Sequence, residues 1–119
     1  MRLQHVSITI PEGGDDVARS FYGRLLGLSE REVPPKLDGT RFVWFRAGEP
    51  DLELHLMIGE EPAHDRRHFC LAVEDVEGLR GRLQEAGVKT VDATEIVGRP
   101  RFFCRDPFGN LLELTTMGA

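Results

Sequence analysis

Two histidines and two glutamates of this 119-residue chain are of the residue types that bind metal ions. His5 lies in "LQHVSITI" and His68 in "HFCLAV", while Glu53 lies in "DLELHLMIG" and Glu113 in "LLELTT". Imidazole nitrogens and carboxylate oxygens together form a competent ligand set for a divalent transition metal. A lone polar residue on a strand is ordinarily solvated, so the prediction depends on whether the fold brings these residues together.

Each of these four residues lies on the polar side of an alternating segment. Side chains point alternately to the two faces of a strand, so residues of the same parity share a face. Opposite His5 the strand carries Val and Ile, and opposite Glu53 it carries only Leu. We expect the apolar faces against helices. His55 shares the face of Glu53 and is therefore a second candidate for the fourth ligand.

The two halves of the chain repeat each other at an offset of sixty residues. This shift aligns Gly27 with Gly87, "RF" at 41–42 with "RF" at 101–102, "LEL" at 52–54 with "LEL" at 112–114, and Met57 with Met117, without a gap. Further upstream, His5 matches His68. Self-similarity at a fixed offset predicts two copies of one structural unit. In this alignment Glu53 matches Glu113, whereas His55 matches Thr115, which favours Glu53 as the ligand.

Periodicity predicts the elements that carry these residues. The first half reads as strands at 2–10, 28–33, 40–47 and 51–58 with a helix at 15–26; the second reads as strands at 67–73, 88–93, 100–105 and 111–116 with a helix at 75–86. We expect an α+β fold of one domain, 1–119, built from two βαβββ units of about 1–59 and 67–119. The units are predicted to form a curved mixed sheet, with helices outside and the four candidate ligands converging on its concave side.

Composition excludes several classes of function. Lys and Arg number 15 against 20 Asp and Glu, a net charge of −5, which argues against a nucleic-acid surface. The sequence has no apolar stretch long enough for a membrane span, which predicts a soluble cytoplasmic protein. Cys70 and Cys104 belong to no CxxC pair, and we expect both to be reduced.

Five segments of the sequence resemble the vicinal oxygen chelate superfamily, and the resemblance covers essentially the whole chain. They are "LQHVSITI", "FYGRLLGL", "LELHL", "RRHFCLAVEDVEGLRGRLQEAG" and "RFFCRDPFGNLLEL". This superfamily includes glyoxalase I, fosfomycin-resistance and bleomycin-resistance proteins, methylmalonyl-CoA epimerase and extradiol dioxygenases. The greatest similarity is to short bacterial glyoxalase-like proteins.

The resemblance implies a site and an assembly. It implies a divalent metal ion, Ni, Zn, Mn or Fe, held by His5, Glu53, His68 and Glu113. It also implies a homodimer that binds a small molecule at sites at or near the interface. By the same resemblance Arg101 and Phe103 line the substrate pocket, where an arginine suits a carboxylate, phosphate or phosphonate.

Further residues are candidates for catalysis or substrate binding. Glu113, Glu53 and His55 are candidate bases for moving a proton on carbon. Arg41, the repeat partner of Arg101, and Ser7, on the face of His5, are candidate substrate contacts. Cys70 shares the face of His68 and is another, although burial as a small hydrophobe is its expected role. We expect Trp44 to pack against a helix or a partner chain.

Three functions are weighed against these residues. The first is a metal-dependent glyoxalase-like or epimerase-like enzyme, a lyase or isomerase, that binds neighbouring oxygens of a small substrate and stabilises an enolate or oxyanion. The alternative is a non-catalytic resistance protein that sequesters a drug or metabolite. The least favoured is an extradiol-type dioxygenase with Fe²⁺ on His68, Glu113 and either His5 or His55, because such enzymes are usually longer chains.

Overall fold

The computed structural model describes residues 2–60 and 66–116, which fall into two compact units, Met1–Pro62 and Ala63–Ala119. Each unit contains one helical segment and one four-stranded mixed sheet, which confirms the predicted α+β class and the βαβββ repeat. His64 and Met117 lie outside the described residues. No helix in the described ranges is long and apolar enough to cross a membrane.

The first unit follows the predicted order of elements. Strand β1 is His5–Ile10, and helix α1 (Asp15–Ala18) continues as a wider π-helix over Arg19–Leu25. Strands β2, β3 and β4 are Ser29–Arg31, Phe42–Gly48 and Leu52–Ile58, with a short 3₁₀ turn at Gly39–Arg41 before β3. The sheet order is β1-β4-β3-β2, in which only β1 and β4 are parallel.

The second unit repeats this topology. Strand β5 is His68–Val73, helix α2 is Val76–Glu85, and β6, β7 and β8 are Thr90–Asp92, Arg101–Arg105 and Leu111–Thr116. The sheet order is β5-β8-β7-β6, again with one parallel pair, β5 and β8. The Asp75 carboxylate caps α2 by accepting a hydrogen bond from Gly78 N (2.9 Å).

The apolar strand faces form the core of each unit, as alternation predicts. Leu54 and Phe45 are almost fully buried in the first unit, and the Phe45 ring lies 5.9 Å from that of Tyr22 on the helical segment. In the second unit Leu112 and Leu114 are fully buried. Because neighbouring residues on a strand face opposite ways, this packing fixes Glu53 and Glu113 on the other face of each sheet.

The strand registers correct the ungapped alignment of the two halves. Glu53 pairs with Arg46 and His55 with Trp44, whereas Glu113 pairs with Phe103 and Thr115 with Arg101. Trp44 and Arg101 therefore occupy equivalent places, at an offset of 57 rather than sixty residues. The two offsets differ by three residues, and a shift by an odd number of residues moves a side chain to the other face of the strand. The "RF" match is therefore coincidental, and Arg41 is not the structural partner of Arg101.

The parallel pairs show a second shift. His5 lies opposite Glu53, but the residue opposite Glu113 is Cys70, and His68 lies two residues earlier on β5. A shift of two preserves the face, so both histidines remain on the side of the glutamates. The two His–Glu pairs consequently have different local geometry.

A buried carboxylate holds the turn between β7 and β8. Asp106 Oδ1 accepts hydrogen bonds from Phe108 N (2.9 Å) and Asn110 N (2.8 Å), and Oδ2 accepts one from Asn110 Nδ2 (2.8 Å). Gly109 adopts a positive φ of 92° within this turn, which favours glycine. The "DPFGN" motif thus fixes where β8, and with it Glu113, begins.

Replacing Asp106 tests this turn. Asp106→Ala leaves buried N–H groups without an acceptor, and we expect a loss of about 2–4 kcal/mol in the free energy of unfolding, measured by urea denaturation. Asp38 is the control, because it also accepts from a turn N–H, that of Thr40 (2.9 Å), but is exposed. If Asp38→Ala and Asp106→Ala lower the urea midpoint equally, the turn does not depend on the buried carboxylate.

Candidate functional site

In the first unit, the hydrogen bonds of His5 define its tautomer. Gln4 Nε2 donates to the carbonyl oxygen of Asp51 (3.1 Å), which leaves Gln4 Oε1 facing His5 Nδ1 at 2.8 Å. An amide oxygen can only accept, so Nδ1 of His5 carries the proton. The lone pair of Nε2 is consequently available to a metal ion.

His55 lies between two aromatic rings on the same face. Trp44 stacks on it with ring centroids 3.7 Å apart and planes 5° from parallel, and His5 lies on the other side at 4.4 Å and 17°. Of the two expected partners of Trp44, the helix is wrong, because the strand register places Trp44 on the polar face, directly opposite His55; packing against a partner chain stays a prediction. Three adjacent strands thus contribute one ring each to the stack.

The Glu53 carboxylate is held by His55. His55 Nε2 lies 3.1 Å from Glu53 Oε1, and only 11% of the His55 side chain and 17% of the Glu53 side chain are exposed. No other hydrogen bond to this carboxylate occurs within the described part of the chain, so Oε2 has no protein donor. Glu53 and His55 therefore act as a connected pair, in which the imidazole fixes one carboxylate oxygen.

In the second unit, both ring nitrogens of His68 face oxygen atoms. Nδ1 lies 3.0 Å from the backbone carbonyl of Arg66, and Nε2 lies 3.2 Å from Glu113 Oε1. The carbonyl requires the proton on Nδ1. In a neutral ring the Nε2 lone pair would then face a carboxylate lone pair, and only a positive charge between them, a proton or a metal ion, makes this contact favourable.

Arg101 holds the other oxygen of Glu113. Its Nη1 donates to Glu113 Oε2 (3.3 Å) and its Nη2 donates to the carbonyl of Thr94 (2.8 Å), while Nε is buried with no hydrogen-bond partner among the described residues. The Arg101 and Glu113 side chains are only 15% and 9% exposed. Phe103 lies near both, with its ring 5.8 Å from the Arg101 guanidinium and edge-to-face with His68 at 5.3 Å. Arg101 therefore supports a candidate ligand, rather than presenting a free guanidinium.

The remaining predicted site residues are not all brought to these pairs. Arg41 lies in the 3₁₀ turn and donates to Glu12 Oε2 (2.8 Å) and the Ile58 carbonyl (3.1 Å), away from Glu53. Ser7 is exposed and lies opposite His55 on the neighbouring strand. Cys70 is exposed, so the expectation that it is a buried hydrophobe is wrong; it lies opposite Glu113.

Two features of the site were not predicted from the sequence. Gln4 and the carbonyl of Arg66 orient the two histidines, and neither has a motif that marks this role. A groove of about 280 Å³ also opens beside Arg101, bordered by Thr94, Ile96 and Arg99. In neither unit, over the described ranges, do three or more His, Cys, Asp or Glu side chains form a group able to hold a metal, so each unit offers a His–Glu pair.

The thiols provide a test of the environment of Glu113. Although the Cys70 residue as a whole is exposed, the protein atoms around its thiol shield it from water and raise its pKa, and the negative charge of Glu113 raises the pKa further. Burial, followed by the charge of Asp106, raises the pKa of Cys104 to about 11. Less thiolate is therefore present at pH 8 than for an ordinary cysteine, and the thiolate is the reactive form. We expect slow iodoacetamide labelling, confined to Cys70, that accelerates as the pH rises.

Glu113→Gln removes one of these charges, which lowers the Cys70 pKa and should speed labelling of the chelator-treated protein at pH 8. The measurement is peptide mass spectrometry over a time course, with Glu95→Gln as the control for loss of an exposed acid. Labelling of Cys70 that is no faster in Glu113→Gln than in Glu95→Gln contradicts the electrostatic coupling.

Comparisons with known proteins agree with this fold. An ethylmalonyl-CoA/methylmalonyl-CoA epimerase from Cereibacter sphaeroides is 29% identical over 95% of this chain and 96% of that protein. The crystal structure of a glyoxalase family protein from Bacillus anthracis superposes with a TM-score of 0.86 and 28% identity, covering 98% of this chain and 94% of the other. The antibiotic-binding protein TnmS3 from Streptomyces sp. CB03234 shares the fold at a TM-score of 0.74 and 22% identity, covering 98% and 95% of the two chains. The family model of the Glyoxalase/Bleomycin resistance protein/Dioxygenase superfamily matches residues 2–114, and the chain belongs to that superfamily.

Proposed function

We propose that this protein is a metal-dependent enzyme of glyoxalase or epimerase type that moves a proton on a carbon next to a substrate carbonyl. The proposed ligands are the four residues predicted from the sequence, His5, Glu53, His68 and Glu113. Two neutral imidazole nitrogens and two carboxylate oxygens suit Ni²⁺, Zn²⁺, Mn²⁺ or Fe²⁺. The Cereibacter sphaeroides relative, an epimerase by name, supports this choice of reaction.

The geometry of His68 carries the proposal. Its Nδ1 proton is committed to the Arg66 carbonyl, and its Nε2 points at Glu113 Oε1 over 3.2 Å. A cation held by His68 and Glu113 would relieve this unfavourable contact between lone pairs. The same tautomer at His5, fixed by Gln4, presents a second Nε2 lone pair. Partners of this kind on the far nitrogen are the usual support of a metal-bound histidine.

When bound, a divalent ion supplies positive charge that two neighbouring substrate oxygens can share, which lowers the energy of an enolate or oxyanion. Each carboxylate is held differently within its own unit. Both oxygens of Glu113 are engaged, by His68 and Arg101, whereas Glu53 has only Oε1 engaged. Because His55 holds Oε1, Glu53 Oε2 is assigned to both proposed roles: it would bind the metal and, after partial release, accept the substrate proton.

His55 does not suit the role of base in this arrangement. Both faces of its ring are covered, by Trp44 and His5, and its Nε2 is directed at Glu53. A base must reach the substrate proton directly or through one water. The proposal therefore assigns proton transfer to Glu53 and leaves His55 to hold the carboxylate.

Metal binding is the first test. We expect protein purified without chelator to retain a divalent metal by elemental analysis, and the stripped protein to bind Co²⁺ in calorimetric titration. His68→Ala and Glu113→Gln should each weaken Co²⁺ binding by at least about 10- to 100-fold, because each removes a ligand. Circular dichroism checks that the variants are folded.

Two control variants accompany this titration. His64→Ala removes a histidine with no predicted ligand role, and Glu95→Gln removes an exposed acid; both should bind Co²⁺ as the wild type does. Wild-type protein that ignores Ni²⁺, Zn²⁺, Mn²⁺, Fe²⁺ and Co²⁺ rules out the proposal. In that case a sequestering role is the remaining candidate.

Proton transfer is the second test. With methylmalonyl-CoA as the probe in D₂O, we expect metal-loaded protein to replace one substrate proton by deuterium. This proton is on the carbon that lies between the carboxylate and the thioester. Glu53→Gln, which keeps the side-chain shape, should slow this exchange by about 100-fold or more at saturating metal. Nuclear magnetic resonance of the substrate follows the exchange, with Glu95→Gln as the control. If Glu53→Gln exchanges the proton at the wild-type rate and His55→Gln does not exchange it, the base is His55 rather than Glu53.

The homodimer implied by the resemblance remains a prediction, and light scattering of the purified protein in solution would measure it directly.

A further inference from the structure

The two sheets use equivalent positions to hold their glutamates, but with different chemistry. Arg101 lies opposite Thr115, two residues after Glu113, and donates directly to that carboxylate. Trp44 lies opposite His55, two residues after Glu53, and its N–H makes no hydrogen bond to the carboxylate within the described residues. Instead the indole contacts His55, and His55 contacts Glu53.

The contact between Trp44 and His55 is made by the ring faces. The planes are 5° from parallel and the centroids are 3.7 Å apart. The indole N–H is buried and has no hydrogen-bond partner within the described residues. A buried tryptophan usually forms a hydrogen bond with this N–H. Hydrogen bonding therefore does not account for a tryptophan at position 44, whereas stacking of its large flat ring on His55 does.

Covering both faces of an imidazole restricts its rotation about the Cβ–Cγ bond. His5 covers the second face at 4.4 Å, so the His55 ring is held from both sides. A ring held in this plane keeps Nε2 aimed at Glu53 Oε1. Without the indole, rotation of the ring would interrupt the contact that orients the carboxylate.

We propose that Trp44 is a positioning residue, which acts through His55 to hold the Glu53 carboxylate in the orientation that binds metal. This assignment rests on the proposed function for its consequence, the metal affinity, but the ring geometry itself exists without metal. It also predicts that any flat aromatic ring at position 44 serves, because the indole N–H takes no part.

The first arm of the test uses metal-free protein. Nitrogen-15 spectra of the histidine rings at pH 8 should show His55, assigned by the loss of its signals in His55→Gln, with one protonated and one unprotonated nitrogen. Trp44→Phe should keep this pattern. In Trp44→Leu the released ring should lose its fixed contact with Glu53 and exchange between its two tautomers, so that both nitrogen shifts move to averaged, intermediate values. Averaged signals in the wild type, or a fixed tautomer in Trp44→Leu, would overturn the assignment.

The second arm measures Co²⁺ affinity and the visible absorption of the bound ion. Trp44→Leu should weaken binding by about 10-fold or more, the range for loss of an outer partner, and should alter the spectrum. Trp44→Phe should stay within about threefold of wild type. Phe42→Leu is the matched control, because Phe42 shares the strand and face and touches Trp44 edge-on at 6.3 Å, but makes no ring contact with His55.

The two arms separate the two proposals. If the wild-type protein does not bind Co²⁺, the proposed metal function is overturned. The nitrogen-15 spectra then still decide whether Trp44 holds the His55 ring in one orientation. Co²⁺ binding by Trp44→Leu that equals wild type in affinity and spectrum overturns the role of Trp44 in ligand positioning. If Phe42→Leu weakens Co²⁺ binding as much as Trp44→Leu does, the role of Trp44 is also overturned, because the effect then comes from general packing.

Discussion

A carboxylate that is largely withdrawn from water must be hydrogen-bonded or paired, and each unit of this protein places one such carboxylate on the polar face of its sheet. Glu53 and Glu113 are held there because the leucines on either side of each glutamate occupy the apolar face. Once that packing is fixed, the surrounding residues follow from the need to satisfy the carboxylate. His55 does so in the first unit, and His68 with Arg101 in the second.

The repeat preserves the carboxylate but not the means of holding it. Positions 44 and 101 are equivalent in register, yet one is an indole that acts through an imidazole and the other is a guanidinium that donates directly. The guanidinium places a positive charge beside Glu113, whereas the stacked imidazole mainly fixes the orientation of the Glu53 carboxylate. The two units therefore place carboxylates of the same type in different electrostatic surroundings, and the proposed roles of Glu113 as ligand and Glu53 as base depend on this difference.

Most of the fold could be predicted from the sequence, because it depends on local periodicity. The strands that carry Glu53 and Glu113 were predicted to within one residue at each end, and alternation assigned both glutamates to the correct face. The pairing of β3 with β4 and of β7 with β8 could not be read in the same way. Register depends on the length and geometry of the connecting turn, such as the one built on Asp106. The structural offset between the two units, 57 residues, is three less than the offset of the sequence alignment, so Trp44 and Arg41 lie on the faces opposite to those predicted.

The parts of the site that the sequence does not show are those that orient the histidines. His68 is oriented by a backbone carbonyl, which every residue possesses, so the contact leaves no mark on the sequence. His5 depends on Gln4, and Glu53 depends on His55 and Trp44, so the first pair is held through side chains. Because a backbone contact survives substitution and a side-chain contact does not, the geometry of the first pair can change with single residues while that of His68 is set by the path of the chain.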